Sequence, residues 1–155
     1  MPNLNSLWRA SPDTWLRTAQ ERSEAAALLA DKHPSSAILL LHQASLAALG
    51  ALQVVYGHVT PPKDRSVWNI WCDMESNNVD LGGRHGILTE LRALENLAAN
   101  LVAPDRPLSR DLRDTTPDAQ VKADKVSTAA SAGVELMERV RDHLNVLALE
   151  DAPTP

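Results

Sequence analysis

Three observations predict an all-α protein: an antiparallel up-and-down bundle of four main helices plus a short one. Apolar residues recur at intervals of three and four along segments too long for strands. The apolar share, 44% of 155 residues, comes from Ala, Leu and Val with four Trp, one Tyr and no Phe, which suits closely approaching helices better than a sheet core of β-branched and aromatic residues. Prolines punctuate the segments at His33-Pro34, Thr60-Pro61-Pro62 and Pro104, where a missing N–H forbids helix continuation. A chain of this length suits one domain, which buries roughly 70% of its unfolded surface. The expected division is a lead-in over residues 1–10, a bundle over 11–149 and a tail over 150–155.

The first helix starts at Ser11-Pro12-Asp13, where Ser11 caps, Pro12 fits the first turn and Asp13 suits the positive end of the dipole. Its inward stripe is Trp15, Ala19, Arg22 by its stem, Ala26 and Leu29. After His33 a second helix restarts at Pro34 or Ser35 and runs to Tyr56, with Gly57 as its stop. Ile38, Leu41, Ala44 or Ser45, Ala48, Leu52 and Val55 trace one face, while Leu39, Leu40, Leu46 and Leu49 carry apolar character around the circumference. Such a helix is either the centre of the bundle or shared with a partner chain.

Val67, Trp68, Ile70, Trp71 and Met74 predict a short third helix that depends on tertiary packing. Asn77 to Gly86 is turn material, and a fourth helix from Gly86 to Val102 presents Ile87, Leu91, Leu94, Ala98 and Leu101. Residues 103–116 alternate charges around Leu108 and Leu112 and read as an exposed loop. Thr116-Pro117-Asp118 reads as a cap opening a long helix to Leu149, whose seam is Ala119, Ala123, Val126, Ala130, Gly133, Met137, Val140, Leu144 and Leu147.

The formal charge of -5 argues against a dominant polyanion-binding surface, since neutralising phosphates needs clustered Lys and Arg. Cys72 is the single cysteine, so no intrachain disulfide forms and a reducing cytoplasm is the expected home. Residues 1–10 lack the apolar core of a secretory signal, and no stretch is expected to reach the ~20 apolar residues of a membrane span.

Certain residues carry a family likeness: Trp15-Leu16 followed by Ala19 and Ala26, then His42-Gln43-Ala44 followed by Ala47, Ala48 and Leu52, ahead of Tyr56-Gly57. With the helix order, they make residues 12–149 resemble the HEPN family. In that family the second segment looks like a Gln-Ala element followed by Glu and Lys positions, which here are Leu46 and Gly50. Many members are metal-independent ribonucleases whose site is Arg followed, after about four to six residues, by His, on helices meeting across a dimer interface. The chemistry explains the pair: His moves a proton from the ribose hydroxyl while Arg stabilises the charged phosphate. None of His33, His42, His58, His85 and His143 has an arginine at that spacing. Arg139 and His143 come nearest, four apart and so on one helix face.

The resemblance therefore implies a noncatalytic homodimeric interaction or binding module, of the kind that partners a nucleotidyltransferase or serves a stress or defence system. His42, Leu46 and Gly50 are its expected partner-interface residues. The competing expectation is a divergent ribonuclease using Arg139 and His143 with Arg141, set against a plain basic helix terminus. A third is an anion or nucleotide site at Gly82 to Gly86, where Gly83, Arg84 and His85 precede a helix N-terminus, set against a flexible turn. No cofactor is expected, and no metal: His58, Cys72, Asp73 and Glu75 lack helical ligand spacing. Trp68 and Trp71 share a face, with core packing expected before base stacking.

Overall fold

The computed structural model describes residues 11–57, 65–82, 86–102 and 117–150. These form helices α1 (Pro12–Leu29), α2 (Pro34–Val55), α3 (Val67–Ser76), α4 (Ile87–Val102) and α5 (Ala123–Glu150), with a 3-10 turn at Asp118–Gln120 and no strand among the described residues. The all-helical class follows directly. The expected lead-in, the loop over 103–116 and the tail from 151 lie outside the described residues.

Helix α1 begins as its first residues dictate: the Ser11 hydroxyl accepts from the Thr14 N–H at 3.3 Å, with Pro12 in the first turn. Its buried face contains Trp15, Leu16, Thr18, Ala19, Arg22 and Ala26, and the Arg22 guanidinium donates to the Gln43 side chain on α2.

Helix α2 is the centre of the molecule, in contact with α1, α3, α4, α5 and the 3-10 turn. Every residue from Ala44 to Gln53 is buried, as an apolar circumference requires. Leu49 and Leu52 are fully enclosed, each such burial contributing ~1.5–3 kcal/mol. Small residues allow the close approach to α1: a Cβ on Gly50 would stand 2.5 Å from the Trp15 ring. The helix ends at Val55, and Gly57 follows with φ 71°, a left-handed turn that glycine adopts without steric cost.

Two expectations are corrected here. By length and composition α2 does reach the size of a membrane span, although most of that window is buried inside the bundle. The chain around Pro117 does not open α5. It forms the 3-10 turn, becomes extended at Val121 and enters α5 only at Ala123. Val121 is buried and anchors that turn, while the Asp118 carboxylate caps a different helix.

Helix α3 is capped by the Ser66 hydroxyl, which accepts from Asn69 N–H at 3.0 Å. Val67, Ile70, Trp71 and Met74 are buried, whereas Trp68 is half-buried beneath Arg92, whose guanidinium carbon lies 4.5 Å from the ring centroid. Helix α5, about 42 Å long at 1.5 Å per residue, buries Val126, Ala129, Ala132, Leu136, Met137 and Val140. That seam matches the expected one in its middle. Ala119 and Ala123 at its start are exposed.

Candidate functional site

The second half of α5 carries Arg139, Arg141 and His143, and each takes a different partner. His143 turns toward the end of α2, where its Nε2 lies 2.7 Å from the Tyr56 hydroxyl and the two ring centroids are 6.0 Å apart. Arg139 turns toward the segment between α3 and α4: its guanidinium donates to the Leu81 carbonyl and to the Glu135 carboxylate one turn earlier. It packs against Gly82 so closely that a Cβ there would overlap the guanidinium. Arg141 is exposed and donates to the Gln20 side chain on α1 at 3.2 Å. Sharing a face four residues apart has not brought Arg139 and His143 to a common point, because two elements of the same chain claim them.

Gly83, Arg84 and His85 lie outside the described residues. At the edge of that segment the Gly82 N–H donates to the Asp80 carboxylate at 2.8 Å, so this backbone donor is already engaged.

The partner-interface candidates are placed inside the protomer. Leu46 is 7% exposed and Gly50 lies against Trp15, so the chain's own helices cover both. Above Trp15 sits Arg65, its guanidinium carbon 4.8 Å from the ring centroid and its Nη2 donating to the Leu46 carbonyl at 3.0 Å. Burial draws the Arg65 pKa below its ordinary range.

His42 leads to an arrangement that the sequence did not disclose. Its Nε2 lies 2.8 Å from Glu95 Oε2 on α4, and the same oxygen accepts the Val67 N–H at 2.8 Å. Glu95 thus closes the N-terminus of α3 from a distant position, placing negative charge where the helix dipole and unpaired N–H groups favour it. Burial, the largest single influence, pushes the Glu95 carboxyl up. Hydrogen bonds from His42 and from the Val67 and Trp68 backbones, with the charge of His42, outweigh it and hold the group below its usual range.

The same device recurs at α2. His33, its N-cap residue, makes no side-chain cap bond, and Asp118 supplies one instead. One Asp118 oxygen accepts from the Ser35 hydroxyl at 2.6 Å and the Ser35 N–H at 3.1 Å, while the other lies 3.4 Å from His33 Nδ1. The Ser35 hydroxyl and N–H hold the Asp118 carboxyl below its usual range against the opposing effect of desolvation, and His33 adds lesser contributions in the same downward direction. Each unit therefore consists of a helix N-terminus, a carboxylate from elsewhere in the chain and a histidine. Histidine next to proline or glutamine was visible in the sequence; the carboxylate partners were not.

Among the described residues no group of three or more His, Cys, Asp or Glu side chains is arranged to hold a metal ion. Compared with protein families, curated proteins and solved structures, the chain matches none.

Proposed function

We propose that this chain is a noncatalytic, HEPN-like antiparallel up-and-down bundle that forms a homodimer and works as an interaction or binding module in the cytoplasm, with a nucleotidyltransferase-like protein or a stress or defence system as its setting. One observation carries the noncatalytic part. Arg139 and His143, the nearest approach to the ribonuclease signature, are engaged separately by Leu81 with Glu135 and by Tyr56. The two groups are turned toward different elements of the chain, so the guanidinium is not set to stabilise a phosphate beside the imidazole that would move its proton. The helix order and the Trp15 and His42-Gln43-Ala44 segments support the family reading, and the exposed α5 side chains Val134, Val146 and Leu149 offer apolar surface to a second copy.

Two measurements test the reading. Purified protein is incubated with labelled RNA beside a His143→Ala variant, and light scattering after size exclusion gives the mass at micromolar concentration. The expected results are intact RNA in both samples and the mass of a dimer. RNA cleavage that His143→Ala abolishes would replace the module with a divergent ribonuclease, and a clean monomer would remove the dimer.

A further inference from the structure

Helix α5 carries on its outer face groups that its own chain leaves in solvent. Of the five exposed large apolar side chains among the described residues, Val134, Val146 and Leu149 belong to this helix, and Leu28, 86% exposed, belongs to α1. Between Val134 and Val146 stand two exposed charges of opposite sign, Glu138 and Arg141. Arg141 donates to Gln20, and a guanidinium carries five N–H donors, so it keeps others for a further partner. The Gln20 bond also fixes the height of Leu28. Ala27 and Ala30, beyond Gln20 on α1, line a groove of about 340 Å³ with Ala123, Ser127 and Ala130, which precede Arg141 on α5. The two helices therefore run antiparallel. Leu28 lies ~12 Å past Gln20 at 1.5 Å per residue, level with Gly133 and Val134.

This face is complementary to itself. A two-fold contact must answer each group with the same surface turned around. With α5 laid antiparallel on a copy of itself and the axis level with the midpoint of Arg139 and Val140, Glu138 faces Arg141 of the second copy and Arg141 faces its Glu138. The same register brings Val146 of the second copy level with Leu28 and Val134. It also sets Leu149 of the second copy level with Ala130, at the groove whose rim residues Ala27, Ala123 and Ser127 are exposed. A slip of one turn in either direction opposes Glu138 to Glu138 or Arg141 to Arg141, so charge selects this register against its neighbours.

We propose that this face docks a second copy of the chain, antiparallel through α5, with reciprocal ion pairs between Glu138 and Arg141 at the centre and Leu28, Val134, Val146 and Leu149 covering one another on either side. The apolar side chains gain by leaving water and supply the affinity. Exposed ion pairs contribute little to affinity and set orientation instead. The proposal rests on the homodimer reading and assigns that dimer its surface.

Sedimentation equilibrium of the full chain gives the dimer dissociation constant for wild type, Glu138→Arg, Arg141→Glu and the two combined. Each single reversal opposes like charges twice across the axis and is expected to weaken the dimer about tenfold or more. Both reversals in one chain restore opposite signs and are expected to return the constant to within about threefold of wild type. Mixing the two single variants is the stricter arm. One chain then carries cations at both positions and the other carboxylates, so a heterodimer is expected where neither variant pairs well with itself. An ion pair within one helix is broken in both variants and would not be rescued by mixing. Leu28→Ser is expected to weaken the dimer about tenfold. All three side chains are exposed, and circular dichroism checks that each variant keeps its helices. A monomeric wild type at micromolar concentration would overturn this surface together with the homodimer reading. A wild-type dimer that the single reversals leave unchanged, or single variants that do not combine on mixing, would overturn this surface alone.

Discussion

Removing the Glu95 carboxylate measures how strongly a residue on α4 holds the start of α3. Its side chain is 20% exposed, so its bonds are only weakly screened. Glu95→Ala strips a charged acceptor from the Val67 N–H and from His42. A hydrogen bond to a charged group is worth ~1.5–3 kcal/mol, and a lost cap costs ~0.5–2 kcal/mol. These terms overlap, since one oxygen serves both bonds, and the expected loss is ~3 kcal/mol. For a domain of this size that corresponds to a fall of roughly 6–12 °C in Tm. Glu95→Gln keeps the shape and an acceptor but removes the charge, so about half of that loss is expected. The pH dependence supplies an independent readout. Because the folded-state pKa is depressed, the unfolded chain binds protons more readily as acid is added. The stabilisation is therefore complete above the ordinary Glu pKa of ~4.3 and is lost as pH falls through the folded value. Urea unfolding followed by circular dichroism at pH 7 and down through the acid range measures both effects. A Glu95→Ala variant within ~0.5 kcal/mol of wild type, or a Glu95→Gln variant with an unchanged acid slope, would refute the reasoning.

Three further outcomes follow from the same structure. Asp118→Asn removes the charge that closes α2, and amide exchange at Ser35 is expected to accelerate while exchange at Leu49 and Leu52 stays slow; equal protection of Ser35 in both proteins would show that the cap is idle. Gly50→Ala should lower Tm even though alanine gains ~1 kcal/mol in helix propensity, because the new Cβ would sit 2.5 Å from Trp15 and overpacking costs ~1–3 kcal/mol; a stabilised variant would mean that the ring yields freely. For the 2.7 Å contact between Tyr56 and His143, a double-mutant cycle of Tyr56→Phe and His143→Ala is expected to give a coupling of ~1 kcal/mol, and additive losses would argue against a bond in solution.

The sequence already contained most of the local structure. Ser11-Pro12-Asp13, His33-Pro34 and Tyr56-Gly57 act within a few residues of themselves, so the limits of α1 and α2 were legible from chain chemistry alone. The stripe from Trp15 to Ala26 was equally plain, because a helix repeats its face at a known interval. The start of α5 lies beyond Thr116-Pro117-Asp118: that local cap pattern opens no long helix, and the Asp118 carboxylate instead accepts a tertiary hydrogen bond from the Ser35 hydroxyl.

What a sequence by itself determined here is the helical class, the segment boundaries set by proline and glycine, and the apolar faces that must be covered. Tertiary structure alone decided that α2 is covered by its own chain at Leu46 and Gly50, that Arg139 and His143 diverge, and that Glu95 and Asp118 close helices far from them in sequence. The reason is range. Caps and periodicity are encoded by neighbours a turn apart, whereas the partner of a carboxylate or guanidinium depends on which helices pack together, and that choice is made by the whole core at once.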